Sequence, residues 1–256
     1  MKKIISYSLW FQNKPMDGYK YQTHNMYYNG MIRNLEILNK KEIYRDWIIR
    51  CYINKTVPPK LQETLKNLGA ELVDMTGSKI PGMFWRFLPF NDSSVDIFVV
   101  RDTDSRINLR EYKAVNEWLE SDKLLHVMRD HPHHRYKILG GMWGYKNNLQ
   151  RIDIMKPMDK FLKQRNYKFK RMDDMTFLNS LYDRLYGRSM EHDQFFKYKF
   201  SQPFPDDSYQ NDYYHFVGEI FDENDNNPNK ERNKNLLKDK KYKQIMKNSI
   251  HSKYFK

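Results

Sequence analysis

The chain is poor in the features that most often announce a function. It has one cysteine, Cys51, in 256 residues, so no intrachain disulfide can hold it together. The apolar setting of Cys51, Ile48-Ile49-Arg50-Cys51-Tyr52-Ile53, predicts an inert core thiol. No apolar run approaches the roughly 20 residues that a membrane-spanning helix needs. Glycine is scarce, and neither G-x-G-x-x-G nor G-x-x-x-x-G-K-[ST] occurs, so nicotinamide enzymes and P-loop nucleotidases are unsupported. There are no internal repeats. The opening Met1-Lys2-Lys3 and the apolar stretch behind it resemble a signal peptide only superficially. Ser6 and Ser8 interrupt it, no small-residue cleavage site follows, and a buried first strand is the expected reading. With nothing routing the chain to a secretory lumen, the sequons at Asn54 and Asn91 carry no weight. The compartment expected is the cytoplasm, that of a host or a virion for a viral chain.

Aromatic residues make up 15% of the chain, which excludes disorder along its whole length despite a mean hydropathy of −0.91. Net charge is +13, which suggests nucleic acid, but its placement argues otherwise. Residues 230–256 hold ten Lys or Arg and two Asp or Glu, a net of +8, leaving +5 for residues 1–229. The cationic character belongs to a tail.

Apolar spacing predicts strands over 2–8, 47–53, 70–75 and 96–100, and helices over 27–40 and 60–68, the latter stopped by Gly69. Alternating strands and helices imply an α/β domain with a mainly parallel sheet. In such sheets ligands bind beyond the carboxyl ends of the strands. The chemistry is therefore expected just after Val100.

There the sequence reads Arg101-Asp102-Thr103-Asp104-Ser105-Arg106. In extended chain, residues two apart face the same side, so both carboxylates can meet one hard divalent cation. Mg2+ or Mn2+ so held would neutralise charge on a diphosphate leaving group. Arg101 and Arg106 would bind phosphate or organise the carboxylates. This is the only Asp-x-Asp in the chain; the bland alternative is a strand-end turn with solvated aspartates.

Asn108 is placed to cap a helix over 109–119, with Glu111 in its first turn. His126, His131, His133 and His134 crowd nine residues, but without a cysteine partner or a helical His-Glu-x-x-His they read as a polar loop facing a ligand rather than as zinc ligands. Gly140-Gly141-Met142-Trp143-Gly144 lets backbone approach a bulky ligand, or forms a packed strand with glycine bulges. Asp173 and Asp174 precede a helix over 176–185, where they either cap it or supply an acid/base group. Glu191-His192-Asp193 and His215 are candidates for a late metal ligand. Residues 222–229 are a polar spacer, and Leu236, Leu237, Ile245, Met246 and Ile250 form one face of a cationic helix.

In this order the segments resemble GT-A-type glycosyltransferases, nucleotide-sugar-dependent enzymes with a metal-binding Asp-x-Asp. The run His126-x-Met128-Arg129-Asp130-His131-Pro132-x-His134 is similar to a little-characterised subgroup of bacteria and large DNA viruses. The resemblance covers residues 1–220. It implies a GT-A-like, Rossmann-type, mainly parallel sheet flanked by helices: a single domain at 1–221, then a polar spacer and basic tail at 222–256. It implies transfer of a hexose or N-acetylhexosamine from a nucleoside diphosphate sugar, most often a UDP-sugar, to a hydroxyl of a glycan or protein acceptor. Ser6, Tyr7 and Ser8 would then hold the nucleotide base, while Arg86, in Phe84-Trp85-Arg86-Phe87, would reach the donor beside Arg101. Asp102, Asp104 and His192 would ligate Mn2+ or Mg2+. Gly140, Gly141, Met142 and Trp143 would line the donor-sugar pocket. Asp173 and Asp174 would face the acceptor, one as base or as orienter.

Two other classes remain. A HAD-like phosphatase also sets Asp-x-Asp after a buried strand, but it expects Thr or Val where Arg106 stands and a position near the start of the domain. A non-enzymatic module could bind an anionic membrane surface or nucleic acid through the +8 tail. The mildly charged body makes nucleic acid the lesser expectation.

Overall fold

The computed structural model describes residues 1–11, 23–170, 172–196, 198–205, 216–238, 240 and 244. His215 and the tail positions Ile245, Met246 and Ile250 lie outside the described residues. The chain runs β1 (Lys3–Leu9), α1 (His24–Asn39), β2 (Trp47–Ile53), α2 (Pro59–Asn67), β3 (Glu71–Asp74), α3 (Gly82–Trp85), β4 (Ile97–Val100), α4 (Leu109–Glu120), β5 (Leu125–Arg129), β6 (Trp143–Lys146), α5 (Met155–Gln164), α6 (Asp173–Arg184), β7 (Ser189–Asp193), β8 (Ser201–Gln202) and α7 (Lys230–Lys238).

The strands form one eight-stranded sheet in the order β3-β2-β1-β4-β6-β5-β7-β8. Only β6 runs against its neighbours, antiparallel to both β4 and β5. The fold is therefore α/β with a mainly parallel sheet, and the four strands expected from apolar spacing are all present. In the second half of the sheet only β6 meets an expectation, the packed strand offered for 140–144, whereas β5 and β7 are not readable as strand. Strand β5 carries His126 and Arg129, β7 carries Glu191, His192 and Asp193, and these polar residues hide the apolar signal.

Alternation along the central strands divides the core into two layers. Ile4, Phe98 and Val100 face one layer with Phe84, Phe87, Phe90, Trp143 and Phe177. Ile5, Tyr7, Leu9, Ile97 and Val99 face the other with Met31, Leu35, Cys51 and Trp118. Cys51 is buried in that second layer, and burial pushes its thiol well above the ordinary range, as an inert core cysteine requires.

The helix ends follow local chemistry. Thr23 accepts from Met26 N at the start of α1, and Asn108 accepts from Glu111 N at the start of α4. The spacer after 221 is tied back onto the sheet domain. Asp225 pairs with Arg33 of α1 and with Arg106, and Thr23 donates to Glu223. Among the described residues no helix is long and apolar enough to cross a membrane.

Candidate functional site

From β1 the chain progresses outward through β2 to β3, whereas β4 lies on the other side of β1. The order reverses between β1 and β4, and such a reversal opens a crevice at the carboxyl ends of the strands. Asp102 and Asp104 leave β4 at that crevice. Arg86 arrives there from the end of α3, beside the end of β1. Because β6 is antiparallel, its beginning lies at the same edge, and Gly140 and Gly141 enter the crevice with it.

These residues converge. Arg86 forms an ion pair with Asp102 through Nη1 and another with Asp174 Oδ2 through Nη2, at 3.0 Å. Asp174 is the second residue of α6 and also accepts from Met175 N at 2.8 Å. A Cβ at Gly140 would lie 2.6 Å from Arg86 Nη2 and 2.7 Å from Asp174 Oδ2; one at Gly141 would lie 2.1 Å from Asp102 Oδ2. Only glycine lets this backbone press against the acids.

The electrostatics are unbalanced. Burial, then the neighbouring charge of Asp102, pushes Asp104 up to about 7. Burial also raises Asp174, against the pull of Arg86. The guanidinium of Arg86 is held above its ordinary value: burial works against its charge, but Asp102 and Asp174 outweigh it. Asp102 keeps 41% of its side chain open to solvent. Asp102 and Asp174 thus share the guanidinium of Arg86, while Asp104, beside Asp102, feels Arg86 and Arg106 through space, and such a site gains from a further positive charge.

The loop bearing Asp102 and Asp104 is gripped from behind. Asn34 of α1 donates to Ser105 O at 2.8 Å and accepts from Ile107 N at 3.0 Å. Gly30 packs so closely that a Cβ there would meet Thr103 O at 2.0 Å. Phe221 N donates to Asp104 O at 2.9 Å beside a bridge between Ser105 and Ile220. Gly218, with φ +81°, lies against Met142. Sequence reasoning missed Gly30, Asn34 and Gly218, since nothing local marks a residue whose partner lies seventy positions away.

Several candidates read from the sequence stand elsewhere. Arg101 is turned into the core, where Nε bonds Glu111 at 2.9 Å and Nη1 bonds Val100 O, so it cannot reach a phosphate. Tyr7 is fully buried in the second core layer. Ser6 and Ser8 are turned to the backbone of Arg86 rather than to open space. Trp143 is buried among Phe87, Phe90 and Phe98, and Met142 packs with Met128 and Val217, so of these four only the two glycines lie against Arg86 and the acids. Asp173 accepts from Lys170 N and pairs with Arg165 at 3.2 Å, which is a turn-closing role; the structure does not bring it to Arg86.

His192 does not join Asp102 and Asp104. Its Nδ1 lies 2.8 Å from His126 Nε2 and its Nε2 lies 3.2 Å from Glu117 Oε2. Both nitrogens are engaged, and burial holds the ring below its ordinary pKa. His131 and His134 pack with Phe216, and burial lowers both, His131 to about 3. Among the described residues no three His, Cys, Asp or Glu side chains gather so as to hold a metal ion.

The sequence matches no protein-family model, and it matches no curated protein. Solved structures do resemble it. The galactosyltransferase LgtC, in complex with donor and acceptor sugar analogues, is similar with a TM-score of 0.48 and 11% identity, over 74% of this chain and 73% of that one. The glycosyltransferase GlyE of Streptococcus pneumoniae TIGR4 is similar with a TM-score of 0.46 and 13% identity, over 74% of this chain and 44% of that one. This chain thus matches less than half the length of GlyE. The 4-diphosphocytidyl-2C-methyl-D-erythritol synthase of Anaerococcus prevotii DSM 20548 is similar with a TM-score of 0.46 and 11% identity, over 74% of this chain and 88% of that one.

Proposed function

We propose that the chain is a glycosyltransferase that moves a hexose or N-acetylhexosamine from a nucleoside diphosphate sugar to an acceptor hydroxyl. The observation that carries this reading is the meeting of Asp102 and Asp174 on the guanidinium of Arg86, with Asp104 beside Asp102, at the sheet's reversal point and against the bare backbone of Gly140 and Gly141. A surplus of negative charge at a strand-end crevice suits a cation, and a cation beside an arginine suits a diphosphate.

Asp102 and Asp104 fit a hard divalent ion such as Mn2+ or Mg2+ as an incomplete ligand set. Both offer oxygen, and no donated side-chain hydrogen bond to Asp104 occurs among the described residues. Such an ion, when bound, supplies Lewis-acid stabilisation of charge on the leaving diphosphate. Of the two histidines read as late ligands, His192 is engaged by His126 and Glu117. The other, His215, lies outside the described residues.

The chain's own groups have distinct tasks in this reading. Arg86 presents N–H donors beside Asp102, where a phosphate oxygen can exchange for a carboxylate. Asp174, raised by burial, is the group facing the sugar and acceptor, and it orients or deprotonates the hydroxyl. Gly140 and Gly141 bring bare backbone against Arg86 and the acids, where it can flank the donor. A UDP-sugar is the first donor to try, as the family resemblance implies.

Calorimetric titration with UDP- and GDP-sugars, with and without Mn2+, tests the proposal. Binding that requires the ion, and that Asp104→Ala abolishes without unfolding the protein, supports it. No binding of any such donor, or an aspartyl-phosphate trapped at Asp102 from a phosphorylated substrate, would overturn it.

A further inference from the structure

Strand β1 carries a chemical oddity: Ile4-Ile5-Ser6-Tyr7-Ser8-Leu9 is buried throughout, yet two of its side chains are small serine hydroxyls. A buried hydroxyl costs free energy unless it is bonded, and apolar or alanine side chains would serve the strand at least as well. Both hydroxyls are bonded to one residue. Ser6 Oγ donates to Arg86 O at 2.8 Å, and Arg86 N donates to Ser8 Oγ at 2.9 Å. Residues two apart on a strand face the same way, so the pair grips the peptide groups on either side of the Arg86 Cα.

That grip matters because of what Arg86 does at its other end. Arginine is long and flexible, and where its fork arrives depends on where its Cα is fixed. Here one nitrogen meets Asp102 and the other meets Asp174, while Gly140 closes the space beside it. A shift of the Cα would let the guanidinium collapse onto one acid and abandon the other.

We infer that Ser6 and Ser8 are positioning residues, which act through the backbone of Arg86 to hold its guanidinium between the metal-side carboxylate and Asp174. This deepens the glycosyltransferase reading and rests on it: the serines would set donor affinity without touching the donor.

The test is a double-mutant cycle with two readouts. Ser6→Ala/Ser8→Ala is compared with wild type, in the native background and with Arg86→Gln, for binding of a UDP-sugar in the presence of Mn2+. Loss of placement is expected to weaken binding about 10-fold in the native background, since small misplacements of a positioned group are costly, and to change nothing further when Arg86 is absent. Ser8→Thr keeps the hydroxyl and is expected to bind as wild type. The second readout needs no ligand: 15N relaxation of the Arg86 guanidinium in the metal-free protein is expected to report lost order in the Ala/Ala variant and none in Ser8→Thr. Wild-type binding of the donor with equal binding by the Ala/Ala variant overturns the inference, as does an equal loss in both backgrounds. If wild type binds no donor, the glycosyltransferase reading fails, and the relaxation decides the placement by itself: an Arg86 as ordered in the Ala/Ala variant as in wild type overturns it. If Arg86→Gln removes all binding, the same relaxation result decides.

Discussion

At the end of β4, and at the ends of β5 and β7, acids surround an arginine, and these two groups differ in what else they are given. Around Arg129, Glu191 and Asp193 are fully buried and every carboxylate oxygen has a donor. Glu191 takes Arg129, Tyr182 Oη and Ser189 Oγ, the last two at 2.7 Å; Asp193 takes Arg129 Nε at 2.6 Å and the N–H groups of Phe195 and Phe196. Around Arg86, Asp102 is two-fifths open and Asp104 has no side-chain donor among the described residues. Both groups contain more acid than arginine. The first spends its surplus on neutral donors from the protein and is complete; the second leaves its surplus facing the crevice, and only there does an added cation gain anything. Excess acid marks a site when its hydrogen bonds are missing, not when its charge is merely unpaired.

This contrast can be broken most forcefully at Arg129. Replacing it with Met leaves two carboxylates buried together, and the expected cost is about 3–5 kcal/mol of folding stability by urea unfolding. A loss under about 1 kcal/mol would mean that the neutral donors alone suffice.

At the other group the expectation is reversed. Asp104→Asn removes a repulsion, so the metal-free protein should keep or gain stability, while Mn2+-dependent nucleotide binding falls about 100-fold, the scale of about 2.7 kcal/mol. Its pH dependence sharpens the point. Unfolded Asp104 ionises at its ordinary 3.8, but folded Asp104 holds its proton to about 7. The unfolded state therefore binds fewer protons over that interval, and the metal-free protein should lose stability as pH rises through it. Cation affinity should climb over the same interval and level off above about 7. Asp104→Asn should flatten both slopes, measured by thermal unfolding and by calorimetry across pH.

Gly141→Ala should cost about 1–3 kcal/mol by driving a methyl into Asp102, with Mn2+ binding the more sensitive readout. The smallest effect is expected at Asp225. Asp225 is itself two-fifths exposed and its Arg33 pair lies in solvent, while the Arg106 side chain is only 10% exposed, so Asp225→Ala should shift stability by about 1 kcal/mol. Its salt dependence should vanish with it.

The first four strands were legible because they are apolar and β-branched, and their order alone pointed to the end of β4 as the place to search. Asp102, Asp104, Arg86, Gly140, Gly141 and Asp174 were all named from sequence, and the fold brings them together. The same reasoning could not separate Asp174 from Asp173: adjacent residues at a helix start look alike until the turn aims one at Arg86 and the other at Lys170 and Arg165. Nor could it see that Arg101 points inward, because its partner Glu111 lies in the next helix and reads there as an ordinary first-turn acid. His192 drew attention as a histidine between two acids, yet its neighbours Glu117 and His126 come from elements far apart in the chain.

The reversed direction of β6 has a practical use. Its first residues belong to the crevice, so the loop it leads into emerges at the opposite rim of the sheet, where Leu149 stands half exposed. A fluorophore or affinity handle attached at Leu149 would sit a strand's length from the acids, and the protein could be immobilised or tracked there with its working edge left clear.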